Sequence, residues 1–294
     1  MNARPVVGTI AAHRQSEGGG FIVRRPFPSE RVSAIDPFLL LDEMGPADYA
    51  PGRAVGAPDH PHRGFETVTY LMSGEIEHRD SNGGFGVITP GAVQWMTAGA
   101  GIVHSEMPTD RMMREGGRMH GFQLWVNLRA ASKMIPPRYQ GYEAYDIPTR
   151  DLNNGGRLRV IAGEVDGVRG IVDTTSPVTF AHVTLAPGES LSWSPPAGHT
   201  ALVHPFVGGV TVNDTEAPEG TMIVCDRTDG DVRIVAPDTG CDVLLLGGEP
   251  LNEPIARYGP FVMNTREEII QAFEDYEAGR LGSIVATGPG TNRG

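Results

Sequence analysis

The sequence predicts an all-β protein folded in two halves, with a short C-terminal helix, and three observations predict it. Gly and Pro supply 39 and 24 of the 294 residues, a density that opposes helix interiors without reaching that of low-complexity chains. Segments of period two recur at short intervals with Gly, Pro, Asn or Asp between them, the pattern of sandwiches and barrels. The length exceeds one ordinary small domain, and an apolar fraction of 39% is enough for a packed core.

The elements follow in chain order. Residues 65–72 are rich in β-forming residues and stop at Ser73-Gly74. Residues 121–128, GFQLWVNL, alternate Phe122, Leu124, Val126 and Leu128 against Gln123, Trp125 and Asn127, as a half-buried strand does. Residues 129–157 hold two Pro-containing turns and an Asn-Asn-Gly-Gly cluster. They form the inter-domain connection, and the boundary is set near 140, giving domains 1–140 and 141–294. Residues 178–185, VTFAHVTL, read as another strand before the Pro187-Gly188 turn. Thr265 and Glu268 fit a capping box. Ile269, Phe273 and Tyr276 then share one face and Gly279 ends the turn, which predicts a helix near 265–279. The last dozen residues, 283–294, are expected to fray.

Charge and composition exclude several classes. Lys plus Arg is 24 and Asp plus Glu is 36, for a net charge of −12, which argues against direct nucleic-acid binding. Cys225 and Cys241 are the whole cysteine complement, so there is no disulfide scaffold and no CxxC zinc site. Cys225 ends an apolar run and reads as a small buried hydrophobe. The first twenty residues lack the apolar core of a secretory signal, and no apolar run approaches the length of a membrane span. The expectation is a cytoplasmic protein with no membrane contact. No P-loop occurs, and the glycines of 83–91 belong to a hairpin rather than to a loop that opens a helix. Ser105 beside His104 lacks the strand–turn–helix elbow of a nucleophilic serine.

The chemistry is carried by histidines. His60 and His62 lie in DHPHRGFE, and His104 and Glu106 lie in GIVHSE. In extended chain, residues i and i+2 point to the same side. Each pair therefore converges, and two such pairs on neighbouring strands would give three imidazoles and one carboxylate around one divalent metal. Donors of this kind suit Fe, Mn, Ni, Cu, Co or Zn. Glycines at 64, 74, 83, 84, 86, 91, 99 and 101 surround the two pairs, as tight turns require.

These spacings resemble the two motifs of cupins. DPFLLLDEMGPADY at 36–49, HPHRGFETVTYL at 60–71, QWMTAGAGIVHSEMP at 94–108 and HGFQLWVNL at 120–128 more specifically resemble the pirin family. The resemblance implies a bicupin: two jelly-roll β-barrels face to face, with one non-haem metal, foremost Fe(II), in the N-terminal barrel. It places the ligands at His60, His62, His104 and Glu106. Glu66, recruited as a ligand in other cupins, is assigned a supporting role, with its parity relative to His60 and His62 keeping that point open. The resemblance further implies a quercetinase-like dioxygenase, with a flavonol-like small molecule and dioxygen as partners. Glu106 is then also the proton acceptor. An alternative implied by the same family is an iron-dependent, redox-sensing regulator that acts through a protein partner. A monomer is expected.

In the second half, placing Gly209 on Gly74 puts Pro195 and Ala197 where His60 and His62 stand. Placing Gly220 on Gly91 puts Arg233 and Val235 where His104 and Glu106 stand. The second barrel is therefore expected to bind no metal. His78, His120, His182, His199 and His204 read as ordinary strand or turn histidines.

Overall fold

A computed structural model describes residues 2–284, so most of the frayed end expected at 283–294 lies outside the described residues. The strand-rich expectation holds. In the first half, a seven-stranded antiparallel sheet runs Arg138–Tyr142, Val93–Thr97, Phe65–Ser73, Gly117–Asn127, Phe38–Tyr49, Phe21–Phe27, His13–Glu17. A four-stranded sheet faces it: Ala57–His62, Ile102–Pro108, Ile76–Asp80, Phe85–Ile88. The second half repeats the plan. Its large sheet runs Val6–Ala11, Thr221–Cys225, Thr200–Val207, Cys241–Gly248, Val178–Leu185, Arg157–Ala162, Thr149–Asp151. Its small sheet runs Ser190–Trp193, Val232–Val235, Val210–Val212, Thr215–Ala217.

The halves exchange their ends. The first strand of the chain, Val6–Ala11, pairs with Thr221–Cys225 in the second half, while Arg138–Tyr142 takes the matching edge of the first. The last segment returns the other way. Helix Arg266–Glu277 carries the full capping box, with Thr265 accepting from the Glu268 amide and Glu268 accepting from the Thr265 amide. Its buried residues are Ile269 and Ala272, and they pack with Phe261, Met263 and Leu281 against Val103 of the first half. Tyr276, expected on the same face, is 39% exposed, because Ala272 rather than Tyr276 meets the sheet. Arg63, itself buried, pairs with Asp275 at 2.7 Å and fixes the helix in place.

One helix is expected from the sequence, but a second, short one spans Asp110–Glu115, capped by Thr109. Only Met112 is buried in it, so it has no apolar period to detect. Neither helix is long and apolar enough to cross a membrane, among the described residues. Cys225 and Cys241 are free and buried, and burial pushes both thiols up to about 11.

The two large sheets pack on each other. Val68, Tyr70, Phe122, Leu124 and Val126 of the first meet Phe180, Leu202, Phe206, Leu244 and Leu246 of the second, each fully buried aliphatic or aromatic side chain contributing about 1.5–3 kcal/mol. Several of the polar groups caught in this layer are paired. Tyr70 donates to or accepts from His182 at 2.9 Å, and His182 meets Asp242 at 3.0 Å. Glu43 is held by Arg24 at 2.5 and 2.9 Å and by His120 at 2.9 Å. Burial alone would raise the Glu43 carboxyl, but the bonds from His120 and Arg24, with His204 Nε2 3.8 Å away, overcome it and hold it at about 2. His78 likewise meets a carboxylate, Asp80, at 3.0 Å.

Candidate metal centre

Strands Ala57–His62 and Ile102–Pro108 are antiparallel neighbours, with His104 directly opposite His60 and Ile102 opposite His62. The period of two puts His60 and His62 on one side of their strand, and the cross-strand register adds His104. The three ring centroids lie 4.3, 4.7 and 4.9 Å apart. One ligating atom from each lies within 4.8 Å of the others, the one such cluster of three among the described residues.

The backbone fixes two of the tautomers. His60 Nδ1 lies 2.7 Å from the Pro58 carbonyl and His62 Nδ1 lies 3.2 Å from the Pro260 carbonyl. A carbonyl only accepts, so each Nδ1 carries a proton and each Nε2 is the nitrogen left to ligate. Both nitrogens of His104 are buried without a hydrogen-bond partner, an arrangement that costs about 1–3 kcal/mol for each unsatisfied group. Burial drives His62 and His104 well below the ordinary imidazole range, and the neighbouring histidines push them further down. Three imidazoles turned on one another, one of them with both nitrogens orphaned, are what a divalent transition metal satisfies. The residues present therefore fit such an ion, and the all-nitrogen triad disfavours Mg and Ca.

Glu106 lies on the wall of the same cavity but outside the three-histidine cluster. Its Oε1 accepts from Thr69 Oγ1 at 2.5 Å and from Gln94 Nε2 at 3.3 Å. Among the described residues Oε2 has no protein partner. Glu66 is elsewhere. A turn at Gly64, with φ of +87°, resets the parity between His62 and Phe65. Even positions thereafter face the layer between the large sheets, as Val68 and Tyr70 do. Glu66 is fully buried there and accepts from Thr97 at 2.7 Å and from Thr175 of the second half at 2.8 Å. Burial raises its carboxyl. Gly64 is required for a second reason: an added Cβ would sit 2.0 Å from the Val262 carbonyl. Lys133, buried and lowered to about 8 by desolvation, binds the Gly64, Asn127 and Val262 oxygens at 2.7–3.0 Å and locks this corner.

A cavity of about 520 Å³ opens beside the histidines, within the range of small-molecule sites. Leu40, Met44, Tyr49, Val55, Met119 and Trp125 form its apolar walls. Thr69, Gln94 and Gln123 come from three adjacent strands in one register row. Gln123 and Trp125, the polar-phase residues of the alternating strand, thus face a cavity and not bulk solvent.

The second half shows what fills the equivalent space. The bulge at Leu71/Ser73 opposite Gly121/His120 recurs at Pro205/Val207 opposite Val243/Asp242. From that anchor, Thr69, Gln94 and Gln123 correspond to Val203, Ile223 and Leu245. His78 and Glu106 correspond to Val212 and Ile234, and His104 and His60 to Val232 and Trp193. All seven replacements lie in one buried apolar cluster. The sequence alignment on Pro195, Ala197, Arg233 and Val235 is therefore corrected. Gly220 is a misleading anchor, and a one-residue slip turns every side chain to the other face. Arg233 points out and is exposed, while Val232 and Ile234 are buried.

Family comparison agrees with this geometry. The pirin model matches residues 20–126, and the pirin C-terminal cupin domain model matches residues 180–282. Human pirin is 39% identical, over 96% of this chain and 95% of its own length. The chain belongs to the pirin family. Pirin-like protein 2 of Arabidopsis thaliana is 40% identical, over 97% of this chain and 87% of its own. A crystal structure of quercetin 2,3-dioxygenase from Acinetobacter baumannii matches with a TM-score of 0.90 and 41% identity, covering 97% of this chain and 100% of that one. The fold is thus mostly β with two cupin-type domains and a short C-terminal helix.

Four functional neighbours escape a reading of the sequence. Thr69, Gln94 and Gln123 left a faint trace as polar residues inside β-rich runs. Pro260 left none, since it acts through its carbonyl.

Proposed function

We propose that the chain is a metal-dependent dioxygenase that opens the heterocycle of quercetin-type flavonols with dioxygen and releases carbon monoxide. The observation that carries this is a three-histidine centre at the wall of a largely apolar cavity, with the Glu106 carboxylate on the same wall. His60, His62 and His104 would hold the ion, foremost Fe(II), and Glu106 is assigned as the fourth ligand. A divalent metal held there would supply a Lewis-acid site for the vicinal oxygens of the substrate and a redox route from substrate to dioxygen.

The chain's own residues do the rest. Thr69 and Gln94 fix Oε1 of Glu106. Oε2 is then the atom that accepts the proton of the flavonol 3-hydroxyl. The Pro58 and Pro260 carbonyls keep two imidazoles in the ligating tautomer. The apolar walls exclude water, which strengthens each electrostatic contact inside. The metal site belongs to the domain assigned to residues 1–140. Each domain is read as a closed jelly-roll barrel, and the chain as a cytoplasmic monomer.

The test is steady-state turnover of quercetin under air with Fe(II)-loaded protein, following loss of the flavonol band and release of carbon monoxide. Turnover well above that of Glu106→Ala is expected. A rate equal to that variant's overturns the reading.

A further inference from the structure

The cavity holds two guanidinium groups in different states. Arg25 is neutralised: it bonds both oxygens of Asp42 at 2.5 Å and lies 2.8 Å from Glu17. Arg257 is not. Its one hydrogen bond among the described residues goes to the Leu39 carbonyl at 3.2 Å, and no carboxylate pairs with it. An arginine offers five N–H donors, so most of its donors remain free at the cavity wall.

Its position relative to the metal centre is fixed. The Arg257 guanidinium carbon sits 4.8 Å above the Trp125 ring centroid. The same indole meets His62 edge-on, with centroids 5.1 Å apart. Arg257 is therefore one indole away from the histidines. It comes from the strand Ala256–Tyr258, whose hairpin also supplies the Pro260 carbonyl to His62. The field around it is not an alternative partner. Glu17 and Asp42 exceed Arg25 by one negative charge, but both are directed to Arg25 and neither bonds Arg257.

We infer that Arg257 is a substrate-positioning residue that binds an acidic oxygen, a phenolate or a phenolic hydroxyl, on the part of a planar aromatic ligand remote from its metal-chelating oxygens. This rests on the reading of the cavity as a site for metal-chelating hydroxylated aromatics, and names which of them it prefers. Stacking on Trp125 holds the fork in one orientation, and a partly buried charge-assisted hydrogen bond is stronger than a neutral one. Ligands with a hydroxylated distal ring gain this bond, whereas ligands bare at that end leave the guanidinium facing apolar atoms.

The experiment is an anaerobic spectrophotometric titration of the metal-loaded protein, without turnover, using two probes. Quercetin carries hydroxyls on its distal rings. 3-Hydroxyflavone keeps the 3-hydroxyl and the 4-carbonyl and has no other hydroxyl. Arg257→Met is expected to weaken quercetin about tenfold, a loss of about 1.4 kcal/mol, and to leave 3-hydroxyflavone within about twofold. Arg257→Lys should recover part of the quercetin loss, because charge returns without the planar fork. Unchanged 3-hydroxyflavone binding shows that the site remains folded and loaded. Equal losses for both probes, or no loss for quercetin, overturn the inference. The titration needs no catalysis, so failure of the dioxygenase reading leaves its outcome intact, and turnover without this selectivity sinks the inference alone.

Discussion

The two domains share a topology and a register, yet one is hollow and the other is full. In the first, His60, Glu106, Thr69 and Gln123 turn inward and border a cavity, with His104 beside His60 and Gln94 bonded to Glu106. In the second, Trp193, Val232, Ile234, Val203, Ile223 and Leu245 turn inward and close on one another. The backbone plan does not distinguish them. Each polar residue of the first requires a partner or a ligand, since a buried unsatisfied group is costly. Each apolar residue of the second requires only contact. The difference between a site and a core is a set of inward positions on the same strands.

The largest effect should come from removing a ligand. His104→Ala should abolish stoichiometric metal binding, measured by metal analysis after dialysis, and with it turnover. Trp193→Leu at the position equivalent to His60 should leave the metal content unchanged. Loss of metal in Trp193→Leu would mean that the domains are not separable.

Exchanging one inward residue tests the same contrast in stability. Ile234→Glu places an unpaired carboxylate in a closed core and should cost about 3–5 kcal/mol. Glu106→Ile in the open cavity should cost far less while it eliminates activity. Chemical denaturation of both variants reads the difference, and equal destabilisation would remove the distinction between full and hollow.

A smaller effect is expected from the row behind Glu106. Thr69→Val makes the first domain resemble the second, where Val203 stands. It removes one hydrogen bond to Oε1, so kcat should fall about tenfold, a loss of about 1.4 kcal/mol. Metal content should stay unchanged. A change in KM alone would assign Thr69 to binding instead.

An effect confined to acid pH concerns the layer between the domains. Glu43 titrates at about 2 in the fold and near 4.3 in an unfolded chain. A depressed carboxyl contributes stability that is present above the unfolded value and is lost as pH falls toward 2. Glu43→Gln should flatten the acid limb of the stability curve between about pH 4 and 2. An unchanged acid limb would show that other carboxylates govern it.

Much of the molecule was legible. Period-two alternation marked Val178–Leu185 to the residue, and Thr265 with Glu268 marked the start of the long helix. These are local signals, set by side-chain direction and by capping groups three residues apart. The short helix at Asp110–Glu115 was missed because one and a half turns carry too few apolar residues to show a period. The role of Glu66 was unreadable because Gly64 resets the parity between it and His62. The counterparts of the ligands in the second domain were misplaced for a similar reason, since one residue of slip moves a strand's side chains to the opposite face.

What the sequence determined by itself is the pair of motifs, His60-x-His62 and His104-x-Glu106, and the strand segments that carry them. Short-range geometry suffices there: i and i+2 share a face wherever the chain is extended. Tertiary structure alone decided which strands are neighbours, that the first strand completes the second domain, and that the last hairpin brings Pro260 and Arg257 to the metal centre. Those pairings join residues far apart in the chain, and a carbonyl oxygen or an unpaired guanidinium has no local pattern to announce it. The glycines and prolines that fill the chain punctuate its strands, and only the packed fold shows which of the two spaces they enclose stays open.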